Sequence, residues 1–320
     1  MNVMIFGDRL FSKDMAWGFA GLSHQAQTAF PKTVQETDAC LSSEPDLLIT
    51  VGSPAYFAPA VLERIGQRPV PSMKCVHWDT DGITWANIEM KMIQTLQPDY
   101  VFTICPEMLA LLKAKGIPSD LLFYAYSPLT HHPGSAAAEY ADQIAFVGAA
   151  YPTVIAQYPH HYRRRSLDTL FKPLLDGGYR VDFYGDNDHR QVIKSLFGFD
   201  LPNNWLHERQ PYEDTWRIYH SCAINLVTQN NEHSLTKRTF EILGSGGFAL
   251  SYGNDAIRQL FVPGRDLVVS SSPKQTLELV EYYVQHPDAR NLIRSNALIS
   301  IRNHTYLKRA ECIVSRVKTG

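Results

Sequence analysis

Short apolar runs alternate with helix-periodic segments along this chain, and this alternation limits its fold more than any other feature. In the first half, apolar runs of strand length lie at residues 2–6, 47–51, 73–78, 100–105 and 121–126. Segments with helical spacing of apolar residues separate several of these runs, at 57–65, 88–96 and 108–115. Strands that alternate with helices are typical of parallel, doubly wound sheets. We therefore predict an α/β fold.

The alternation is interrupted once and then restarts. Residues 127–141 mix Pro, Gly, Ser and Ala with little apolar periodicity, which is typical of a link between domains. Further strand-length runs follow at 144–148, 181–185, 223–227, 249–252 and 267–270. Because 320 residues exceed the size at which one hydrophobic core keeps growing, we predict two domains with a boundary near residue 137. His131 and His132 stand in the link and are predicted to be solvated.

The overall composition argues against several classes of protein. Charged residues make up 19% of the chain and the formal net charge is −2, so nucleic acid is not expected as the main partner. No window of about 18 consecutive apolar residues occurs, and the first residues lack the basic stretch and apolar core of a signal peptide. We therefore expect a cytoplasmic protein without a transmembrane segment. The five cysteines lack CxxC spacing and are expected to be buried hydrophobes rather than metal ligands or disulfides.

Polar residues follow the predicted strand at 73–78, at the end where a parallel sheet binds its ligands. His77, Asp79 and Asp81 stand close together there. An imidazole or a carboxylate can deprotonate an acceptor hydroxyl, so all three are candidate catalytic residues. An aspartate after a strand also commonly caps the following turn, and this interpretation stays open.

The stretch 231–253 reads as a loop, a short helix, a glycine-rich corner and a strand. Ser234 is the predicted N-cap of the helix. Lys237 and Arg238 then lie near its start, where cations oppose the helix dipole unless an anion sits in front of the unpaired N–H groups. A phosphate would resolve this conflict. Alternatively, both side chains lie on the surface and Glu241 pairs with one of them.

A second group of cations stands at another predicted helix start. Arg163, Arg164 and Arg165 precede apolar residues at 167, 170, 171 and 174, the spacing of one helix face. Two helix starts with surplus positive charge suggest that a doubly charged anion is held between them. The alternative is a solvated basic helix end. The pattern leaves open which arginine would bind the anion.

A longer pattern in the second half carries a family resemblance. Arg238-Thr-Phe-Glu-Ile-Leu-Gly-Ser-Gly-Gly is followed by a predicted strand, by Pro263-Gly264 and later by His304-Thr305-Tyr306. This pattern resembles the donor half of GT-B glycosyltransferases, and most closely the CgeB-type group of spore-maturation proteins. The match is specific over residues 222–312 and weaker before them.

The resemblance implies a domain arrangement for the whole chain. Two Rossmann-like domains would face each other across a cleft, which is the GT-B fold. Residues 1–137 would form the acceptor side and residues 138–303 would bind the nucleotide-sugar donor. The last helix, within residues 304–320, would pack back on the first domain.

The resemblance also implies donor-binding roles for individual residues. Gly148 would let the diphosphate approach the backbone, the loop from His207 to Tyr212 would lie beside the base, and Glu241 would accept hydrogen bonds from the ribose. His233 stands where relatives often have a glutamate near the sugar, which leaves the sugar and the stereochemistry open. The predicted donor-binding residues are Gly148, Arg163, Arg165, His207, Tyr212, His233, Ser234, Lys237, Arg238 and Glu241.

The implied activity is transfer of a sugar, of the hexosyltransferase type, from a nucleotide sugar, with a UDP-sugar favoured. Helix ends and basic side chains would stabilise the leaving diphosphate, so neither a metal nor a further cofactor is expected. Asp79-Thr80-Asp81 also spells the Asp-x-Asp of metal-dependent glycosyltransferases of another fold, but three residues are too short a pattern to rely on. Retention is expected, and it would need no protein base, because the leaving phosphate can take the acceptor's proton. Inversion would need His77, Asp79 or Asp81 as the base.

The acceptor class stays open between saccharides, proteins and lipid-linked molecules. Two other functions fit the same architecture. One is a nucleotide-sugar epimerase, which would convert the donor without an acceptor. The other is a non-catalytic bilobal ligand-binding protein.

Overall fold

The computed structural model describes residues 1–186 and 188–319, and these residues form two compact units. The first unit holds residues 1–125 together with the segment that begins at residue 304. The second unit holds residues 126–303. Residues 126–137, which we assigned to the first domain, therefore group with the second unit. The acceptor and donor roles of the two domains stay predictions, and residue 320 lies outside the described residues.

Six parallel strands form the sheet of the first unit: β1 (Asn2–Gly7), β2 (Gln25–Ala29), β3 (Leu47–Val51), β4 (Lys74–Asp79), β5 (Tyr100–Thr103) and β6 (Ser119–Leu121). Their order is β2-β1-β3-β4-β5-β6. One α-helix follows each of the first five strands: α1 (Arg9–Ala20), α2 (Val34–Leu41), α3 (Pro59–Gly66), α4 (Ala86–Leu96) and α5 (Pro106–Ala114). This is the predicted doubly wound pattern of strand and helix.

Central strands of the first sheet combine an apolar core with a few aligned polar residues. All five residues of β3 are buried, as expected for a strand covered on both faces. The register places Thr50 of β3 opposite His77 of β4, and Asp79 opposite Thr103 of β5. The sheet therefore brings these four polar side chains together in the interior of the unit.

Six parallel strands also form the sheet of the second unit: β7 (Ile144–Gly148), β8 (Asp182–Gly185), β9 (Leu206–Glu208), β10 (Ile224–Val227), β11 (Ala249–Tyr252) and β12 (Val268–Ser270). Their order is β12-β11-β10-β7-β8-β9. The helices of this unit are α6 (Pro152–Gln157), α7 (Tyr162–Leu170), α8 (Lys172–Asp176), α9 (Asp188–Phe197), α10 (Thr215–Ser221), α11 (Lys237–Gly244), α12 (Asp255–Leu260), α13 (Pro273–Gln285) and α14 (Pro287–Ser300). The starts of α7 and α11 carry the arginines that the sequence singled out.

The last helix, α15 (Tyr306–Thr319), belongs to the first unit. It crosses α1 closely, because a Cβ atom on Gly18 would lie 2.3 Å from the carbonyl oxygen of Tyr306. Arg309 fixes the helix further by donating to the carbonyl oxygens of Phe123 and Tyr124, both at 2.7 Å. Burial lowers the pKa of Arg309 to about 10.

The predicted α/β class with two Rossmann-like sheets is confirmed, and two details were wrong. The run at 121–126 does not form a strand of that length, because β6 covers only Ser119–Leu121. The sequence also missed β2 and β9, which pair at the sheet edges. Within the described parts of the chain, no helix is both long and apolar enough to cross a membrane.

Candidate functional site

A buried arginine marks the start of α7. Arg163 is only 2% exposed. Its guanidinium donates to the Thr228 hydroxyl at 3.2 Å and to the side-chain oxygen of Asn230 at 3.0 Å. A third bond goes to the carbonyl oxygen of Ala149 at 2.6 Å. All three acceptors are neutral, so none of these bonds neutralises the charge of Arg163.

A second guanidinium, from Arg238 in the first turn of α11, lies close to the first. It packs directly on Gly148, where a Cβ atom would come within 2.6 Å of an Arg238 Nη atom. The Cζ atoms of Arg163 and Arg238 lie 5.9 and 5.6 Å from the centre of the Phe146 ring. Burial lowers the pKa of Arg163 to about 10, and the charge of Arg238 acts in the same direction, whereas Tyr151 and the Asp186 carboxylate act in the opposite direction. Two cations therefore converge at the end of β7, where the glycine makes room for one of them.

The start of α11 differs from the prediction. The helix begins at Lys237 and its N-cap is Thr236, so the predicted cap at Ser234 is wrong. The Thr236 hydroxyl donates to the carbonyl oxygen of Thr228 at 3.2 Å. Among the described hydrogen bonds, the Thr236 side chain accepts none from the backbone N–H groups at the start of α11. Ser234 is buried two residues earlier, and its carbonyl oxygen accepts from Asn254 at 2.8 Å. The first turn of α11 therefore combines cations with N–H groups that its own N-cap side chain does not satisfy.

A buried carboxylate lies one turn further along α11. Glu241 is 5% exposed, and the Nζ atom of Lys237 lies 3.5 Å from one of its oxygens. The Tyr219 hydroxyl donates to the other oxygen at 3.5 Å, and Tyr212 donates a further hydrogen bond to the carboxylate. Burial by itself raises the pKa of Glu241. The charges of His131, Lys237 and Arg238 lower this pKa overall, and the hydrogen bond from Tyr212 contributes in the same direction. Glu241 is therefore ionised at neutral pH.

His131 belongs to this group of residues, and its predicted solvation is wrong. It is fully buried, its Nε2 atom lies 3.1 Å from the Thr215 hydroxyl, and its ring lies 4.8 Å from that of Tyr212. His132 packs its ring against Trp216 at 4.7 Å. The composition of the link gave the wrong answer because these residues fold onto the second unit through distant contacts, such as that of His131 with Thr215, 84 positions away. No local pattern around His131 announced those contacts.

The three arginines at the start of α7 have different surroundings. Arg163 is buried. Arg164 pairs with Asp168 at 3.0 Å along the same helix. Arg165 is exposed, with its Cζ atom 5.9 Å from the Tyr162 ring. Of the two arginines named as donor-binding, the structure therefore brings only Arg163 to the pair with Arg238.

The predicted base-binding loop at 207–212 is divided between two surroundings. His207 lies in β9, where its Nε2 atom is 2.7 Å from an oxygen of Asp182 and its ring stacks on Tyr184 at 4.4 Å. Tyr212 instead reaches Glu241. The structure thus places only the second of these residues beside the buried carboxylate. His233, also named as donor-binding, lies 3.4 Å from an oxygen of Asp255.

In the first unit, His77 lies within the core. It is fully buried, with its Nδ1 atom 2.8 Å from the Thr50 hydroxyl and its Nε2 atom 2.5 Å from an oxygen of Glu89. Burial by itself lowers the pKa of His77, but the charge and hydrogen bond of Glu89 and the charge of Asp79 raise it overall. The sequence had no signal for Glu89, which comes from α4 and is also fully buried.

Asp79 caps a turn, which is one of the two uses that the sequence left open. One oxygen accepts from the backbone N–H groups of Asp81 and Gly82 at 2.9 and 3.0 Å, and the other accepts from the Thr103 hydroxyl at 2.6 Å. Burial, with a further contribution from Glu89, raises the pKa of Asp79 to about 6. Asp81 is half-buried, and burial raises its pKa as well. Catalytic roles for His77, Asp79 and Asp81 stay predictions.

The raised pKa of Asp79 predicts a pH-dependent contribution to stability. The folded protein binds this proton more tightly than the unfolded chain, whose Asp pKa is about 3.9. The contribution is therefore complete below pH ~4 and is lost as the pH rises through about 6. In Asp79→Asn this loss should disappear, because the amide does not titrate. The contact with Thr103 can be kept, since its hydroxyl can accept from the amide. We expect the Tm of Asp79→Asn, relative to that of wild type, to increase from pH 4 to pH 6.

Thermal denaturation at a series of pH values checks this expectation. Asp38→Asn is a suitable control, because Asp38 is exposed on α2 and pairs only with surface Arg64 among the described ion pairs. Parallel Tm curves for wild type and Asp79→Asn would contradict the expectation.

The described residues contain no group of three or more His, Cys, Asp or Glu side chains arranged to hold a metal ion. Asp79 is fully buried and uses both of its oxygens in hydrogen bonds. Metal independence of the activity stays a prediction.

Comparison with known proteins places the second unit in context. Residues 163–315 match the family model described as Glycosyl transferase-like. This segment covers just under half of the chain and contains Arg163, Arg238 and Glu241. Comparison with curated proteins gives no match. The CgeB-type group is narrower than the matched family model, and the resemblance to it stays a prediction.

Solved structures resemble the whole chain in fold. Sucrose-phosphate synthase from Thermosynechococcus elongatus superimposes with a TM-score of 0.67 at 10% identity, covering 100% of this chain and 98% of that chain. Anabaena HepE in complex with UDP and glucose gives a TM-score of 0.62 at 11% identity and covers all of both chains. A Listeria monocytogenes protein assigned as a UDP-N-acetylglucosamine 2-epimerase gives 0.57 at 12% identity, covering 99% of this chain and 95% of that chain. The GT-B fold class that the sequence predicted is confirmed.

Proposed function

We propose that this chain is a glycosyltransferase that transfers a sugar from a UDP-sugar to an acceptor hydroxyl. The observation that carries the proposal is the convergence of Arg163 and Arg238 at the end of β7. Arg163 is buried, its hydrogen-bond acceptors are neutral, and Arg238 adds a like charge nearby. Asp186 offsets part of the charge of Arg163, and Glu241 offsets part of that of Arg238. The two cations still repel each other, and a further anion between them would stabilise both. A diphosphate has the charge and the oxygen atoms to do this.

The same geometry suits the chemistry of sugar transfer. As the bond to the sugar breaks, negative charge develops on the leaving diphosphate, and fixed donors in a low-dielectric site stabilise that charge. Arg238 lies in the first turn of α11, so the phosphate oxygens would also face the N–H groups at the helix start. Lys237 and Arg238 oppose the helix dipole in the free protein. With a phosphate at the helix start, they would lie beside the anion that the dipole attracts.

Glu241 is proposed to bind the ribose. An ionised carboxylate can accept hydrogen bonds from two neighbouring hydroxyls, and the lowered pKa keeps Glu241 in that form. Lys237 and Tyr212 hold the carboxylate in place. The nucleotide would therefore run from the arginine pair at its diphosphate to Glu241 at its ribose.

Further details of the reaction are part of the proposal. UDP is favoured as the nucleotide because the similar HepE structure is a complex with UDP and glucose. Retention is favoured because the arginine pair would hold the leaving phosphate, which can then take the acceptor's proton. The hexosyl group, the absence of a metal requirement and a saccharide, protein or lipid-linked acceptor follow the expectations from the sequence.

Incubation with individual UDP-hexoses and UDP-N-acetylhexosamines tests the proposal. A glycosyltransferase is expected to release UDP slowly. It would transfer the sugar when an acceptor is present and hydrolyse the donor when none is present. Isomerised donor without UDP release would instead favour an epimerase, the alternative suggested by the similar Listeria structure. Binding without any turnover would favour a ligand-binding protein. Activity should persist in EDTA, and loss in EDTA with rescue by Mn²⁺ would contradict metal independence.

The role of Glu241 gives a specific prediction. Glu241→Ala should weaken UDP binding by about 1–3 kcal/mol, the usual cost of losing hydrogen bonds to a charged group, which is roughly 5–150-fold in Kd. Titration calorimetry with UDP and with 2′-deoxy-UDP measures the effect. Wild type should prefer UDP, and Glu241→Ala should lose that preference, because the missing carboxylate no longer recognises the ribose hydroxyls.

Glu232→Ala is the matched control, since Glu232 is exposed in the loop before α11. It should bind both nucleotides as wild type does. Unchanged UDP affinity in a folded Glu241→Ala variant would remove Glu241 from the binding site.

A further inference from the structure

Tyr151 adopts a backbone conformation that tyrosine rarely takes. Its φ and ψ angles are 56° and 55°, in the left-handed region. Among the non-glycine residues with positive φ in the described chain, it is the only aromatic one. A bulky side chain in this region is a conformational outlier, whereas glycine or asparagine is readily accommodated there. A tyrosine at this position therefore suggests that its ring does something that a smaller residue cannot.

The loop around Tyr151 is fixed from both sides. Before it, the backbone N–H of Ala150 donates to both carboxylate oxygens of Asp186 at 3.3 Å. After it, α6 begins at Pro152, and the N–H of Ile155 donates to the Tyr151 carbonyl oxygen at 3.1 Å. These bonds set the direction in which the Tyr151 side chain leaves the backbone.

That direction places the ring over the buried arginine. The Cζ atom of Arg163 lies 4.7 Å from the centre of the Tyr151 ring, within the range of a cation–π contact. The same Cζ atom lies farther, 5.9 Å, from the centre of the Phe146 ring. Tyr151 itself is 46% exposed, while Arg163 is 2% exposed. The tyrosine therefore forms the outer wall of the guanidinium site and contributes little to the apolar core.

We propose that Tyr151 is a positioning residue for the diphosphate of the donor. The strained backbone holds the ring over Arg163. Together with the three hydrogen bonds of the guanidinium, the ring fixes its plane so that the remaining N–H groups point towards the phosphate oxygens. This inference rests on the proposed function. It concerns only the phosphate part of the ligand, because Tyr151 acts through Arg163 and not through the ribose site at Glu241.

Opposite effects on stability and on binding follow from this assignment. Tyr151→Gly and Tyr151→Asn relieve the left-handed backbone while they remove the ring. Both variants should keep the wild-type Tm or exceed it by up to about 3 °C. Both should also bind UDP roughly 5–30-fold more weakly, because the guanidinium is no longer preorganised for the phosphate oxygens and must be ordered on binding. Tyr151→Phe keeps the ring and should behave as wild type in both measurements.

Calorimetric titration of wild type and the three variants with UDP, UMP and uridine tests the proposal. The loss in Tyr151→Gly and Tyr151→Asn should be largest for UDP and absent for uridine. Wild-type UDP affinity in both variants would overturn the role of Tyr151, as would an equal loss for uridine. A loss in Tyr151→Gly alone would also overturn it, because backbone flexibility and not the ring would then be the cause.

The outcomes separate this inference from the proposed function. If wild type binds UDP and the Tyr151 variants bind it equally well, only the role of Tyr151 is rejected. If wild type bound neither UDP nor inorganic pyrophosphate, the anion site itself would be rejected, and both proposals would fail together.

Discussion

Arg163→Ala is expected to weaken UDP binding by about a hundredfold, whereas the same change at Arg165 should leave the Kd within about threefold of wild type. A guanidinium that donates two hydrogen bonds to a diphosphate contributes about 1.5–3 kcal/mol for each charged bond, and part of that is retained through Arg238. Arg165 is exposed and contributes only a screened surface charge. The two arginines carry the same charge and stand on the same helical turn. This pair of variants therefore separates the effect of where the side chain points from the effect of its charge.

Arg163→Lys separates charge from shape at the same position. Lysine keeps the positive charge but lacks the planar fork of donors, so we expect an intermediate loss of UDP affinity. Arg163→Ala also leaves its partners at Thr228 and Asn230 unpaired, so its binding must be measured at a temperature where circular dichroism shows a folded protein. Equal losses in Arg163→Ala and Arg165→Ala would contradict the site, because the effect would then come from overall charge.

The conflict between cations and helix dipoles could be read from the sequence, but the choice among neighbouring arginines could not. Successive residues on a helix point about 100° apart. Whether Arg163 or Arg165 faces the interior therefore depends on which side of α7 packs on the sheet, and this is decided by the whole unit. The same limit applied at α11, where a local N-cap rule selected Ser234 although the helix begins three residues later.

The buried strands were predictable because they are continuously apolar, whereas the edge strands were not. The five residues of β2, Gln25–Ala29, are polar or small, and none of them is buried. Such a segment forms a strand only because β1 offers it a partner. His131 was missed for a similar reason, since its neighbours at Thr215 and Tyr212 come from a distant part of the sequence.

Glu89→Leu is expected to have the largest effect on the stability of the first unit, lowering its free energy of unfolding by about 3–5 kcal/mol. Glu89 and His77 are both fully buried and share a short contact. Removing one partner of a buried pair leaves the other desolvated and uncompensated, which costs about that much. The second oxygen of Glu89 has no hydrogen-bond partner among the described residues, so His77 accounts for most of its compensation. Thermal unfolding and hydrogen exchange in β4 measure the loss.

The double variant His77→Leu/Glu89→Leu shows whether the pair itself is responsible. Replacing both buried polar groups by apolar ones avoids the uncompensated partner, so the double variant should be more stable than Glu89→Leu alone. Additive losses would instead indicate that each side chain matters through its own packing. UDP binding, measured below the melting temperature, should stay close to wild type in Glu89→Leu, because the arginine pair and Glu241 belong to the other unit. A loss of UDP affinity in the folded variant would mean that the buried pair takes part in donor binding, which its contacts give no reason to expect.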